Sequence, residues 1–156
     1  MLYLKKTIEE TAAFDLDNLP QGKEREALIK VRVNQSFFRS TILSSYNQKC
    51  CITGLSIPDL LVASHIIPWT KDDKNRLNPH DGICLNAIQD KAFDLGFITK
   101  TPDYKVKTSN YFKDYSKENA VSDLFMKYDK QPIILANRFL PSQDFLDWHC
   151  KNIFRK

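Results

Sequence analysis

Residues 61–96 read LVASHIIPWTKDDKNRLNPHDGICLNAIQDKAFDLG, and this stretch decides the fold. Its first part, with 60 included (LLVASHI, 60–66), is too β-branched and too short for a long helix, so it predicts an extended segment ending at His65. Residues 68–82 are polar, hold two prolines and end in Asp81-Gly82, a turn signal, so they form a loop between two extended pieces. ICL (83–85) is the second extended piece. NAIQDKAFDLG (86–96) then reads as a short helix, with Asn86 as N-cap, Ile88, Ala92 and Leu95 as its apolar stripe, and Gly96 as its stop. Strand, loop, strand, helix is the order, and it gathers His65, Asp81, Asp90 and Asp94 within about thirty residues.

Working outward, Phe38, Ile42 and Tyr46 recur every four residues in QSFFRSTILSSY (35–46), which predicts a helix packed on the core. Residues 22–33 read as a further helix with Lys23, Arg25, Lys30 and Arg32 facing solvent. CCITG (50–54) is a second clipped segment. Downstream, FITK (97–100) and YKVK (104–107) alternate like a hairpin around Thr101-Pro102-Asp103. Residues 117–128 read as helical, and Ser142 would cap a last helix carrying Phe145, Trp148 and Phe154. The fold class is therefore α+β, a small finger between flanking helices with a short antiparallel hairpin after it.

The chain has 156 residues, the size of one domain, with no repeat and no composition shift that marks a linker. No apolar run approaches the roughly 20 residues of a bilayer span, and acids interrupt the N-terminal stretch MLYLKKTIEE where a secretory signal would be apolar. Membrane and secretory readings are set aside, and a cytoplasmic protein is expected. Cys50, Cys51, Cys84 and Cys150 make no CxxC pair, so they read as reduced structural thiols, and a structural zinc protein is disfavoured.

The formal charge of +4 hides an uneven distribution: −2 over residues 1–20, +4 over 21–50, −1 over 51–64, 0 over 65–100 and +3 over 101–156. Basic flanks surround a neutral centre. On a helix, Asp90 and Asp94 stand nearly one above the other, and Asp94 is near the negative end of the dipole. A divalent cation would relieve both carboxylates. Alternatively, the dipole favours Asp90 in the first turn and a lysine pairs Asp94. His65 could likewise be a hydrogen-bonded core histidine, or a base that takes a proton from water near neutral pH.

These residues carry a resemblance. Cys50-Cys51-Ile52-Thr53-Gly54, Ala63-Ser64-His65-Ile66-Ile67-Pro68-Trp69, Asp81-Gly82-Ile83-Cys84-Leu85 and Asp90-Lys91-Ala92-Phe93-Asp94-Leu95-Gly96 occur in order, and together they resemble the HNH endonucleases. More narrowly, they are similar to the bacterial, often restriction-type, branch that reads C-x-x-T-G, A-S-H-I-x-P-W, N-G-x-x-L and H/D-x-x-F-D-x-G. The ending F-L-P to F-L-x-W-H (139–149) is similar to that branch as well. The resemblance implies a ββα-metal finger, with residues 1–34 as an N-terminal helical extension, 35–100 as the nuclease core and 101–156 as C-terminal support of the same domain.

It further implies a metal-dependent endonuclease acting on DNA, in restriction or defence, leaving a 5′-phosphate and a 3′-hydroxyl. His65 would be the general base and Asp81 a second catalytic residue. Asp81, Asp90 and Asp94 would hold Mg²⁺ or Mn²⁺. Arg32, Arg39, Arg76 and Lys91, with Lys30, are the candidate phosphate contacts. A homodimer and a recognition domain on the same or another chain fit the same resemblance. Asp81 replaces the motif's Asn, Ser64 precedes the base where Asp or His is frequent, and Gln89 stands where relatives show His. Those departures motivate the alternative, a degenerate HNH module that binds DNA or a protein partner without cutting.

Overall fold

The computed structural model describes residues 22–156, so residues 1–21 of the expected N-terminal extension lie outside it. Its long elements are helix α1 (Lys23–Ser45), strands β1 (Leu61–His65) and β2 (Gly82–Asn86), helix α2 (Ala87–Asp94), strands β3 (Ile98–Lys100) and β4 (Val106–Thr108), and helices α3 (Asn119–Leu124) and α4 (Gln143–Asn152). β1 and β2 pair antiparallel, with His65 opposite Gly82 and Leu61 opposite Asn86; β3 and β4 form a second antiparallel pair with Ile98 opposite Thr108. The α+β class read from the sequence is the class observed.

Each element has a local cause. The two helices expected over 22–33 and 35–46 are one continuous helix, because nothing between Val33 and Gln35 breaks the backbone. Its second half lays Phe38, Ile42 and Tyr46 into the core, each no more than 3% exposed. Burial of such side chains contributes about 1.5–3 kcal/mol apiece. They pack over Gly82, where a Cβ would collide with Ile42 and come within 2.9 Å of the Phe38 ring. Glycine at the strand start is therefore what lets α1 lie against the finger.

Asn86 caps α2 by accepting from the amides of Ile88 and Gln89, and Gly96 ends the segment at φ +79°, a conformation that disfavours side chains. The stripe expected on α2 is corrected: Ile88 is 51% exposed, and the buried face is Gln89, Asp90, Ala92 and Phe93. Phe93, a fully buried side chain, sets the rotation of so short a helix. The helix expected over 117–128 is broken at Phe125 (φ −132°, ψ −60°) into α3 and a 3₁₀ turn, Met126–Tyr128. Ser142 stands at the start of α4 without a side-chain capping bond, and α4 buries Leu146 and His149 more completely than Phe145 and Trp148. Residues 50–54 form a turn in which the Gly54 amide bonds the Cys50 carbonyl, and Gly54 takes φ +75°.

The four cysteines are free thiols, as expected. Burial pushes the Cys51 and Cys84 thiols up to about 12, which keeps both protonated. No helix among the described residues is long and apolar enough to cross a membrane.

Candidate active site

His65 closes β1 and is 5% exposed. One face of its ring stacks on Phe38 of α1, with centroids 4.0 Å apart and planes 7° off parallel, and Trp69 meets it edge-on at 5.6 Å. Its Nε2 lies 2.9 Å from the Arg76 carbonyl oxygen. A carbonyl only accepts, so Nε2 carries the hydrogen and Nδ1 keeps a lone pair. Nδ1 has no hydrogen-bond partner and lies below the surface. Burial is the main cause that lowers the His65 pKa from its ordinary value, which favours the neutral ring.

The loop that supplies the Arg76 carbonyl is tied at both ends. At its far end the Asp81 side chain accepts from the Ile67 amide at 2.8 Å, and the Asp81 carbonyl accepts from the Ile66 amide at 2.8 Å. At its near end the Arg76 guanidinium bonds Asp73, donates to the Trp69 carbonyl at 3.3 Å and lies 4.9 Å from the Trp69 ring centre. Asp81 is 1% exposed, and burial pushes its pKa up to about 8. It acts in this structure as the clamp that closes the loop. An Asn would accept the same amide, so the exchange at this position preserves the tie.

Asp90 and Asp94 both lie on α2. Asp90 is 1% exposed, on the buried face. Lys100, the last residue of β3, is fully buried with its Nζ 4.3 Å over the Phe93 ring and within electrostatic reach of Asp90, and burial is the main cause that lowers its pKa. Among the described residues no three His, Cys, Asp or Glu side chains gather as a group able to hold a metal ion. Asp81 is spent on the Ile67 amide, Ser64 is a neutral side chain buried on β1, and the Gln89 amide donates to the Leu124 carbonyl. The expected trio of Asp81, Asp90 and Asp94 is thus not assembled, and the residues present do not make a protein cage for a cation.

The four candidate phosphate contacts have different surroundings. Arg39 is a tether: its guanidinium donates to the Leu61 carbonyl at 2.6 Å and the Pro58 carbonyl at 3.0 Å, fixing α1 to the start of β1. Arg76 braces the loop beside His65. Lys91 lies on the outer face of α2, in the wall of an apolar groove, and Arg32 is partly buried on the first half of α1. Lys30 is exposed on α1.

Sequence reasoning missed Lys100 and His149. Ile98, Thr99 and Lys100 are all buried, and α4 packs on β3. His149 stacks on Phe93 at 3.8 Å, donates from Nε2 to the Phe93 carbonyl at 3.1 Å and accepts at Nδ1 from the Thr99 hydroxyl at 2.7 Å. Phe38 and Trp69 could have been assigned to His65, since one is on the predicted helix stripe and the other in the His65 motif.

No curated protein matches this chain in sequence. Residues 50–99, the span that holds β1, β2 and α2 around His65, match the family model described as HNH endonuclease, which supports that family for this part of the chain.

Proposed function

We propose that the chain hydrolyses DNA phosphodiester bonds as an HNH endonuclease, with His65 as the general base. One observation carries this reading: a neutral imidazole, its Nε2–H fixed on the Arg76 carbonyl, keeps a buried Nδ1 lone pair with no protein partner, the acceptor a general base would offer to a water brought in with the substrate. Asp81 contributes by clamping the loop that supplies that carbonyl, a positioning role rather than a ligand role. A 5′-phosphate and a 3′-hydroxyl are the products this reading entails. HNH endonucleases generally use a divalent metal. The donors here form no three-ligand group, so the roles assigned are those of the chain's own residues: His65 accepts the proton, and Arg76 and Trp69 hold the loop over it. A place in restriction or defence rests on the motif resemblance, and a cytoplasmic location on the composition and cysteine readings.

Plasmid nicking tests the proposal. Wild-type protein should convert supercoiled DNA in Mg²⁺ or Mn²⁺, and His65→Ala should lose about 10²–10⁴ in rate, the worth of a positioned base. Equal nicking by both proteins refutes the assignment. The second reading, a module that binds DNA or a protein partner without cutting, is favoured by the ungathered carboxylates and the neutral Ser64. It prevails if the protein binds DNA, no cleavage appears in Mg²⁺, Mn²⁺, Zn²⁺ or Ni²⁺, and none of these ions shifts the melting temperature.

A further inference from the structure

We infer that the outer face of α2 forms one wall of a binding groove for an unstacked base of single-stranded DNA. The inference deepens the DNA-substrate reading above and rests on it for the choice of nucleic acid. The groove has a volume of about 690 Å³, large enough for a nucleotide-sized ligand, and its walls are mainly apolar and aromatic. α2 contributes Ile88 and Lys91, with Leu95 just past its end; the 3₁₀ helix Asn110–Tyr115 and α3 line it as well. None of His65, Phe38, Trp69, Arg76 or Asp81 lines it, so it is separate from the His65 site.

Two features select the ligand. Tyr111 and Tyr115 line the groove, and each residue is 51% exposed. Beside them Phe97 meets Tyr111 edge-on at 5.8 Å. The Arg155 guanidinium lies 4.7 Å from the Phe97 ring centre and 5.9 Å from that of Tyr111, and Lys91 lines the same groove. Aromatic platforms with cations at the rim fit a ligand that joins a flat π-system to an anion, as a nucleobase on its phosphate does. An apolar peptide helix would use the walls but not the charge of Lys91. Bases within a duplex are stacked on each other, so only a single strand, or a base turned out of the helix, can offer a face to Tyr111 or Tyr115. The outer wall is not itself basic, since Lys113 and Lys117 stand against Asp114, Glu118 and Asp123, so affinity should come more from stacking than from charge.

The test is fluorescence anisotropy with a labelled oligothymidine of about 12 nucleotides and a duplex of equal length, in chelator so that the probe is not consumed. The single strand should bind more tightly than the duplex. Tyr111→Ala and Tyr115→Ala should each weaken it about tenfold, the worth of one stacked base, while Tyr111→Phe, which keeps the ring, should stay within about twofold. Lys91→Ala with Arg155→Ala should lower both the affinity and its dependence on salt. Circular dichroism melting of each variant separates lost binding from lost folding. Wild-type affinity in both tyrosine→Ala variants, no measurable binding of the single strand, or a sedimenting dimer that closes the groove would each overturn the inference. A protein that cuts no plasmid yet holds the oligothymidine through Tyr111 would refute the nuclease reading and leave this one standing.

Discussion

His149 should make the protein sensitive to mild acid. The neutral ring is required by both of its bonds, a donor toward Phe93 and an acceptor toward Thr99, and burial is the main cause that lowers its pKa from 6.5 to about 3. The unfolded chain therefore binds a proton that the native state refuses. Stability from this residue is fully present above 6.5 and is lost as pH falls from there toward 3. At pH 5 the unfolded ring is favoured by about 1.5 pH units of proton binding, which at about 1.4 kcal/mol per unit comes to roughly 2 kcal/mol. The assay is urea unfolding at pH 7 and pH 5 for wild type and His149→Gln. Glutamine keeps a donor and an acceptor but does not titrate. The variant should be less stable at pH 7, because it loses the stack on Phe93, yet its loss between pH 7 and pH 5 should be smaller than that of wild type by about 2 kcal/mol. Carboxylates and His65 contribute equally to both proteins and cancel. Parallel pH profiles would refute the reasoning, since they would show that the native core accepts a charged imidazole at no cost.

Two further outcomes follow from the loop and from α1. Asp81 has its pKa raised to about 8, so its contribution is present below 3.8 and is lost as pH rises through 8; Asp81→Asn keeps the acceptor for the Ile67 amide and should raise the melting temperature more at pH 8.5 than at pH 5. An equal change at both pH values in differential scanning fluorimetry would contradict this. Arg39→Ala should cost roughly 1–3 kcal/mol in urea unfolding, because it removes charged donors from the Leu61 and Pro58 carbonyls, and a variant as stable as wild type but weaker on DNA would return Arg39 to the phosphate contacts.

The finger was legible because its signals are local. Asn86 as cap and Gly96 as stop each act through their own backbone, and the Phe38, Ile42, Tyr46 stripe is satisfied by one burial surface. What was not legible depends on neighbours distant in sequence. α2 has eight residues, too few for its pattern to fix which side faces in, and Phe93 against His149 of α4 turned it so that Ile88 points outward. Lys100 was unreadable for the same reason: its burial follows from α4 packing across β3, a contact about fifty residues away in the chain.

The charge pattern was read correctly as uneven, but its cause is partly different. The sequence suggested that five acids offset five bases over residues 65–100 because a cation needs carboxylates. In the structure those acids have unlike employments. Asp73 pairs with Arg76 to brace the loop over His65, and Asp72 turns the loop by accepting from the Lys74 and Asn75 amides. Asp81 clamps the loop end, and Asp90 faces the interior within reach of a buried lysine. Three of the five thus shape the loop that presents the Arg76 carbonyl to the imidazole. The neutral centre is in large part the cost of holding one histidine in one tautomer, and this explains how an Asp can stand at the motif's Asn position: the place asks for an acceptor aimed at Ile67, which either side chain supplies.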